Sequence, residues 1–181
     1  MNFNKNDNFI ISFEMIIDIF SFALKRLVNE DIHLLNSGAQ ERSLQFKLAC
    51  YLREYLLFTE YKGIFVDVEY NRDGKSQVKK SSNGNCFYPD IILHERGSAD
   101  YTGNKKNRNN ILYCEIKKDS MAGQKDEKKV IEQMKMRKYK FGIDLYSLNK
   151  DNIFLNIFIE SNLSPIGYKF DKNKQKLVVT K

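Results

Sequence analysis

Cysteine and histidine are scarce in this chain, and each scarcity narrows the chemistry available to it. The three cysteines, Cys50, Cys86 and Cys114, are odd in number, widely spaced and without a C-x-x-C pair. They suggest neither a disulfide framework nor a zinc site, and a reducing, cytoplasmic location is expected. The two histidines, His33 and His94, stand far apart, so no ligand pair is available and each is read as a structural residue. No G-x-x-x-x-G-K loop is present, which argues against a nucleotide-driven motor, and no G-x-S-x-G nucleophile turn appears. The most apolar stretch, Phe9 to Leu24, is interrupted by Glu14 and Asp18 and lacks a cationic leader or small-residue cleavage site. It reads as a core helix, with no membrane association expected.

What remains is a chain of 181 residues with 30 Lys and Arg against 23 Asp and Glu. This length is enough for one domain with a real core, taken as residues 1–181. The net charge of +7 favours a polyanionic partner without identifying it. Periodicity predicts a helix opening after Asp7 or Asn8 and running to Asn29, and a second from Ser37 to Phe58, where Ser37 and Gln40 have capping-box spacing. Strands are predicted at 64–70, 87–94 and 110–117, a third helix at 125–138, and further strands at 141–147, 153–160, 166–170 and 176–180. The order implies one mixed α/β sheet with helices packed on it.

Two of these strands carry charge where apolar residues are expected: Tyr88-Pro89-Asp90-Ile91-Ile92-Leu93-His94 and Ile111-Leu112-Tyr113-Cys114-Glu115-Ile116-Lys117. Alternation puts Asp90 on a face with Ile92 and His94, and Glu115 on a face with Tyr113 and Lys117. If the strands pair, two carboxylates and an ammonium converge, at a desolvation cost of several kcal/mol per isolated charge. A divalent cation resolves that conflict, because carboxylates hold Mg²⁺ through oxygen and a neighbouring lysine can orient water for phosphodiester hydrolysis. The string Glu-x-Lys also occurs at Glu60 and Glu127, but only Glu115 lies inside a run of strand formers. In the second helix, Leu44, Leu48 and Leu52 fall within about 60° of the direction of Glu41, which directs this acid along the apolar stripe. The alternative for Glu41 is a helix-dipole contact reaching solvent. Arg42 beside it is suited either to a phosphate or to an acid.

Glu41, Pro89-Asp90 and Glu115-Ile116-Lys117, in this order, resemble the PD-(D/E)xK nuclease superfamily. The resemblance implies a restriction-endonuclease-like fold: a mixed β-sheet flanked by helices with an α-β-β-β-α-β core over about Ser37 to Ser147, plus an extra N-terminal helix and C-terminal strands. It implies a Mg²⁺-dependent deoxyribonuclease, with Mn²⁺ as a substitute, and DNA as partner. Asp90 and Glu115 would be metal ligands, the Ile116 carbonyl another, Lys117 the water-positioning lysine, and Glu41 an additional acid on the metal, directly or through water; its place on the apolar stripe predicts a position within roughly 8 Å of both carboxylates. Asp67 and Glu69, expected on one face of the preceding strand, are read as supporting. Lys129 or Gln133 of the third helix would be in reach of a phosphate. Arg72, Lys75, Lys79, Lys80, Lys105, Lys106 and Arg108 are loop cations suited to sequence-independent phosphate contacts. The competing expectations are a catalytically silent nucleic-acid or protein-binding module on the same fold, or a nuclease subunit acting with a partner or as a homodimer.

Overall fold

The computed structural model describes residues 11–37, 39–59, 61, 63–70, 84, 86, 88–95, 110–118 and 124–180. Helix α1 spans Phe13–Glu30 and opens at Ser12, whose side chain accepts the Met15 N–H. This cap starts the helix later than the sequence suggested; Asp7 and Asn8 lie outside the described residues. Ile16, Ile19, Phe20, Ala23, Leu24 and Leu27 recur at three- and four-residue spacing, and all are buried.

The helix expected from Ser37 starts only at Glu41, and a short helix that the sequence pattern did not mark precedes it. Short α2 (Ile32–Asn36) ends at Ser37, whose N–H donates to the His33 carbonyl, and α3 (Glu41–Leu57) begins after Gln40. The capping box therefore does not form, because Ser37 closes the helix before it rather than opening the one after it. Asp31 ties the corner together, receiving the Tyr51 hydroxyl and lying 3.3 Å from Lys47, both on α3.

The seven strands are β1 (Ile64–Val68), β2 (Ile91–Glu95), β3 (Asn110–Ile116), β4 (Phe141–Tyr146), β5 (Phe154–Ile159), β6 (Asn162–Asp171) and β7 (Lys176–Val179). They lie side by side in chain order in one sheet. Every neighbouring pair is antiparallel except β3 and β4, which are joined by α4 (Gln124–Arg137) and run parallel. A parallel pair needs such a crossover, and the helix it contains must cover one face of the sheet.

Successive residues of β3 enter different cores. Leu112, Cys114 and Ile116 join Ile91, Leu93, Ile143 and Leu145 beneath α1 and α3, while Tyr113 joins Ile92 and Phe158 beneath Val130 and Met134 of α4. Hence β3 reads as an almost unbroken apolar run with Glu115 as its interruption. Gly142 allows α4 to sit this close, since a β-carbon there would overlap the Met134 sulfur and the Val130 side chain. The architecture is an α/β sheet between helical layers. Among the described residues no helix is long and apolar enough to cross a membrane.

Candidate functional site

The end of β3 gathers the charges that the sequence placed in apolar surroundings. Ile91 pairs with Cys114, so Asp90, one residue before β2, stands opposite Glu115. There the Asp90 carboxylate accepts the Ile116 N–H at 2.7 Å. Glu115 is 1% exposed. One of its oxygens accepts the Tyr113 hydroxyl from two residues back on the same face, and the other receives the Lys129 ammonium of α4 at 2.5 Å. Lys117 leaves the strand end with its N–H on the Leu145 carbonyl at 2.7 Å and its ammonium 3.4 Å from Glu41.

Glu41, the first residue of α3, meets the end of β3. It is partly exposed, and its carboxylate spans the Lys117 ammonium and the Lys118 N–H, the latter at 3.3 Å. The first turn of α3 is thereby pinned to the end of β3, with Lys118 reinforcing it through the Ala39 carbonyl at 3.0 Å. Glu41 serves here as the partner of Lys117.

Burial, and then repulsion from Glu115, pushes the Asp90 carboxyl up to about 7, against the opposing effects of the Ile116 N–H, Lys117 and Lys129. Burial also raises Glu115, although Lys129, Tyr113 and Lys117 counter it. For Lys117, burial works downward but Glu41, Asp90 and Glu115 outweigh it, so its amine stays protonated at neutral pH. Tyr113 is held well above the usual phenol range by burial and by Glu115, and so remains a donor.

A further acid belongs to this cluster and was not singled out from the sequence. Asp144 of β4 is the register partner of Glu115 across the parallel pair. It is fully buried, and neither carboxylate oxygen has a hydrogen-bond partner among the described residues. Burial, followed by the charges of Asp126 and Glu127 on α4, pushes its carboxyl up to about 7, with Lys117 opposing. The signal was available: Phe141-Gly142-Ile143-Asp144-Leu145-Tyr146 is another apolar strand interrupted by one acid.

Other sequence candidates are placed elsewhere. Arg42 pairs with Glu69 at 3.0 Å, and Asp67 with His94 at 2.7 Å. Asp67 and Glu69 do not work as a pair on one face, because β1 stops at Val68 and Glu69 takes a left-handed backbone with φ of 49°. His94 is buried beside the Tyr70 ring, and His33 is exposed on α2. Lys129 is engaged with Glu115, and Gln133 is buried against Arg137, whose Nε donates to it at 3.0 Å. Arg72, Lys75, Lys79, Lys80, Lys105, Lys106 and Arg108 lie outside the described residues.

The donor set suits a hard cation in chemical type. Asp90 and Glu115 offer oxygen only, both are withdrawn from water, and they repel each other, a conflict that positive charge relieves. Lys129 now supplies that charge at Glu115. Among the described residues, however, no group of three or more Asp, Glu, His or Cys side chains converges tightly enough to hold a metal alone. Further ligands would have to come from backbone carbonyls, water or a bound substrate.

The fold and cluster define an α/β protein whose mixed sheet carries buried carboxylates and a protonated lysine at one strand end. Compared with known proteins, the chain matches no family model, no curated protein and no solved structure.

Proposed function

We propose that this chain is a Mg²⁺-dependent nuclease with a restriction-endonuclease-like core, hydrolysing phosphodiester bonds in DNA. The observation that carries this reading is the convergence of Asp90, Glu115 and the Lys117 ammonium at the end of one strand. The order of elements supports it as well: a helix whose first residue is an acid, a three-stranded meander, a crossover helix and a parallel strand. Asp90 and Glu115 would hold the cation, which when bound acidifies water and neutralises charge on a phosphate. The residues of the chain have separable tasks. Lys117, kept protonated and steered by Glu41, supplies positive charge and orients a nucleophilic water or a phosphate oxygen; a permanently protonated amine is not the base. Tyr113 and Lys129 fix the Glu115 side chain.

The test is incubation of the purified protein with linear, supercoiled, branched and single-stranded nucleic acids in Mg²⁺, Mn²⁺ or EDTA. Cleavage with either metal and none in EDTA is expected. A second reading, a binding module on the same fold, is favoured by one observation: both Glu115 oxygens already have partners within the chain. Binding without cleavage under every condition would select it.

Under either reading, affinity for nucleic acid should fall steeply with salt, given the net charge of +7. At a slope of about −0.9 per phosphate contact, three contacts lose roughly 40-fold between 50 and 200 mM salt. Titrations at several salt concentrations measure this slope, and a flat response would contradict it.

A further inference from the structure

Beyond the carboxylates, one row of side chains runs straight across the sheet on the face that α4 shares. Tyr146 pairs with Phe154, Phe154 with Lys169, and Lys169 with Val178, which places all four on one face of β4 to β7. That face is the one carrying Gly142 and Phe158, because residues two and four positions along a strand point the same way. Lys117 stands one residue beyond the Ile116–Leu145 pair, level with Tyr146, and so begins the row. The Tyr146 and Phe154 rings are nearly parallel, at 16° with centroids 5.6 Å apart, and the Lys169 ammonium lies 5.5 Å from the Phe154 centroid.

Helix α4 packs over β3 and β4, and Glu127 in its first turns accepts from Asn156 of β5 at 2.8 Å. Tyr146, Phe154 and Lys169 are each only partly buried. The adjoining row, Asn156, Gly167 and Thr180, is polar and low, with Thr180 lying over the bare Gly167 backbone. Among the described residues this part of the face presents two rings stacked on each other, with the Lys169 ammonium beside Phe154. Asp144 lies two residues before Tyr146 on the same face of β4, so the rings adjoin the carboxylate cluster.

We propose that Tyr146, Phe154 and Lys169 form a seat for unpaired bases, making single-stranded nucleic acid the preferred substrate class. Bases of a single strand would extend this stack on the ring faces turned away from each other, Lys169 would swing off Phe154 to a phosphate, and the strand would continue toward the end of β3. A duplex cannot use the rings, because its base faces are already stacked. Aromatic stacking is indifferent to sequence, which accords with the absence of any base-reading element. The proposal deepens the nuclease reading and rests on it only at the Lys117 end.

The experiment is fluorescence anisotropy in EDTA, using the whole chain, a labelled oligothymidylate and a mixed-sequence duplex of equal length. Wild type should favour the single strand. Phe154→Ala, and separately Tyr146→Ala, should weaken single-strand binding by about 5- to 100-fold while duplex binding stays within about twofold; Phe154→Tyr should retain the preference. Should the alanine variants unfold, Lys169→Gln gives an independent readout, lowering the single-strand salt slope by about 0.7. Equal weakening toward both nucleic acids, no weakening of either, or an unchanged slope in Lys169→Gln would overturn the seat. So would self-association of the wild type that Phe154→Ala abolishes. Because binding is read without metal, the two readings fail separately. Lost preference in Phe154→Ala with no cleavage by wild type in Mg²⁺ upholds the seat and rejects the nuclease; cleavage indifferent to Phe154 rejects the seat alone.

Discussion

Replacing Lys117 with alanine is expected to lower metal-dependent cleavage by about 10²- to 10⁴-fold, the range spanned by removal of a positioned proton-transfer or charge-stabilising group. The fold should survive. The backbone bond from Lys117 to Leu145 is independent of the side chain, which is 40% exposed, and Glu41 keeps the Lys118 N–H and access to water. The loss should therefore appear in turnover at saturating substrate, with binding in EDTA reduced only by one phosphate contact. Glu115→Gln should lose activity comparably for another reason, since it removes a charge that the cation would need while leaving Tyr113 an acceptor. Exchange of the exposed Lys174, at the β6–β7 turn, serves as the control. Undiminished cleavage in Lys117→Ala, or equal wild-type activity in EDTA, would remove this cluster from any hydrolytic role.

The apo protein should become more stable as the pH falls from 8 to 5, by about 5 kcal/mol or roughly 10–20 °C in Tm. The sign follows from Asp90 and Asp144, both raised to about 7 in the folded chain. An unfolded carboxylate titrates near 4, so between about 4 and 7 the folded state holds protons that the unfolded state releases. Stability from these groups is then full below the unfolded value and is lost as the pH climbs through 7. Asp90→Asn keeps an acceptor for the Ile116 N–H and removes the repulsion with Glu115. Asp144→Asn neutralises a buried carboxylate that has no hydrogen bond. Each should raise the apo Tm at pH 8 and flatten its pH dependence. Mg²⁺ reverses the order, because at 100 times Kd it would stabilise the wild type by about 2.7 kcal/mol through mass action, and Asp90→Asn should respond little. A purely structural pairing of Asp90 with Lys117 predicts the opposite: Asp90→Asn would destabilise the apo protein, and wild type would ignore Mg²⁺. Melting curves at pH 5 and 8, with and without Mg²⁺, distinguish these cases.

Such stability costs have a physical meaning. Acids placed in an apolar sheet without hydrogen bonds weaken the fold, and a chain keeps them only where another property depends on them. Asp144 is the clearest example. Its two unpartnered oxygens make it the residue whose neutralisation should improve the Tm while reducing any activity that needs negative charge beside Glu115.

Local patterns in the chain are enough to mark most of the strands and the long helices, and the anomalies within them. The three- and four-residue spacing of Ile16, Ile19, Phe20, Ala23 and Leu24 suffices for α1, and apolar runs broken by Asp90 or Glu115 suffice to mark strands whose charges need explaining. Both signals depend only on near neighbours and on the fixed periods of helix and strand. Tertiary structure alone decided which charges meet. Asp144 stands beside Glu115 because α4 returns the chain in parallel at one particular register, and Lys129 faces Glu115 instead of a phosphate because Gly142 lets that helix lie close. Glu41 meets Lys117 instead of the core because Ser37 ends α2 and delays α3 to Glu41, at the margin of the sheet. Tyr146, Phe154 and Lys169 form a row only through the pairing of β4, β5 and β6. Register and crossover arise from contacts between distant parts of the chain, and no local period encodes them.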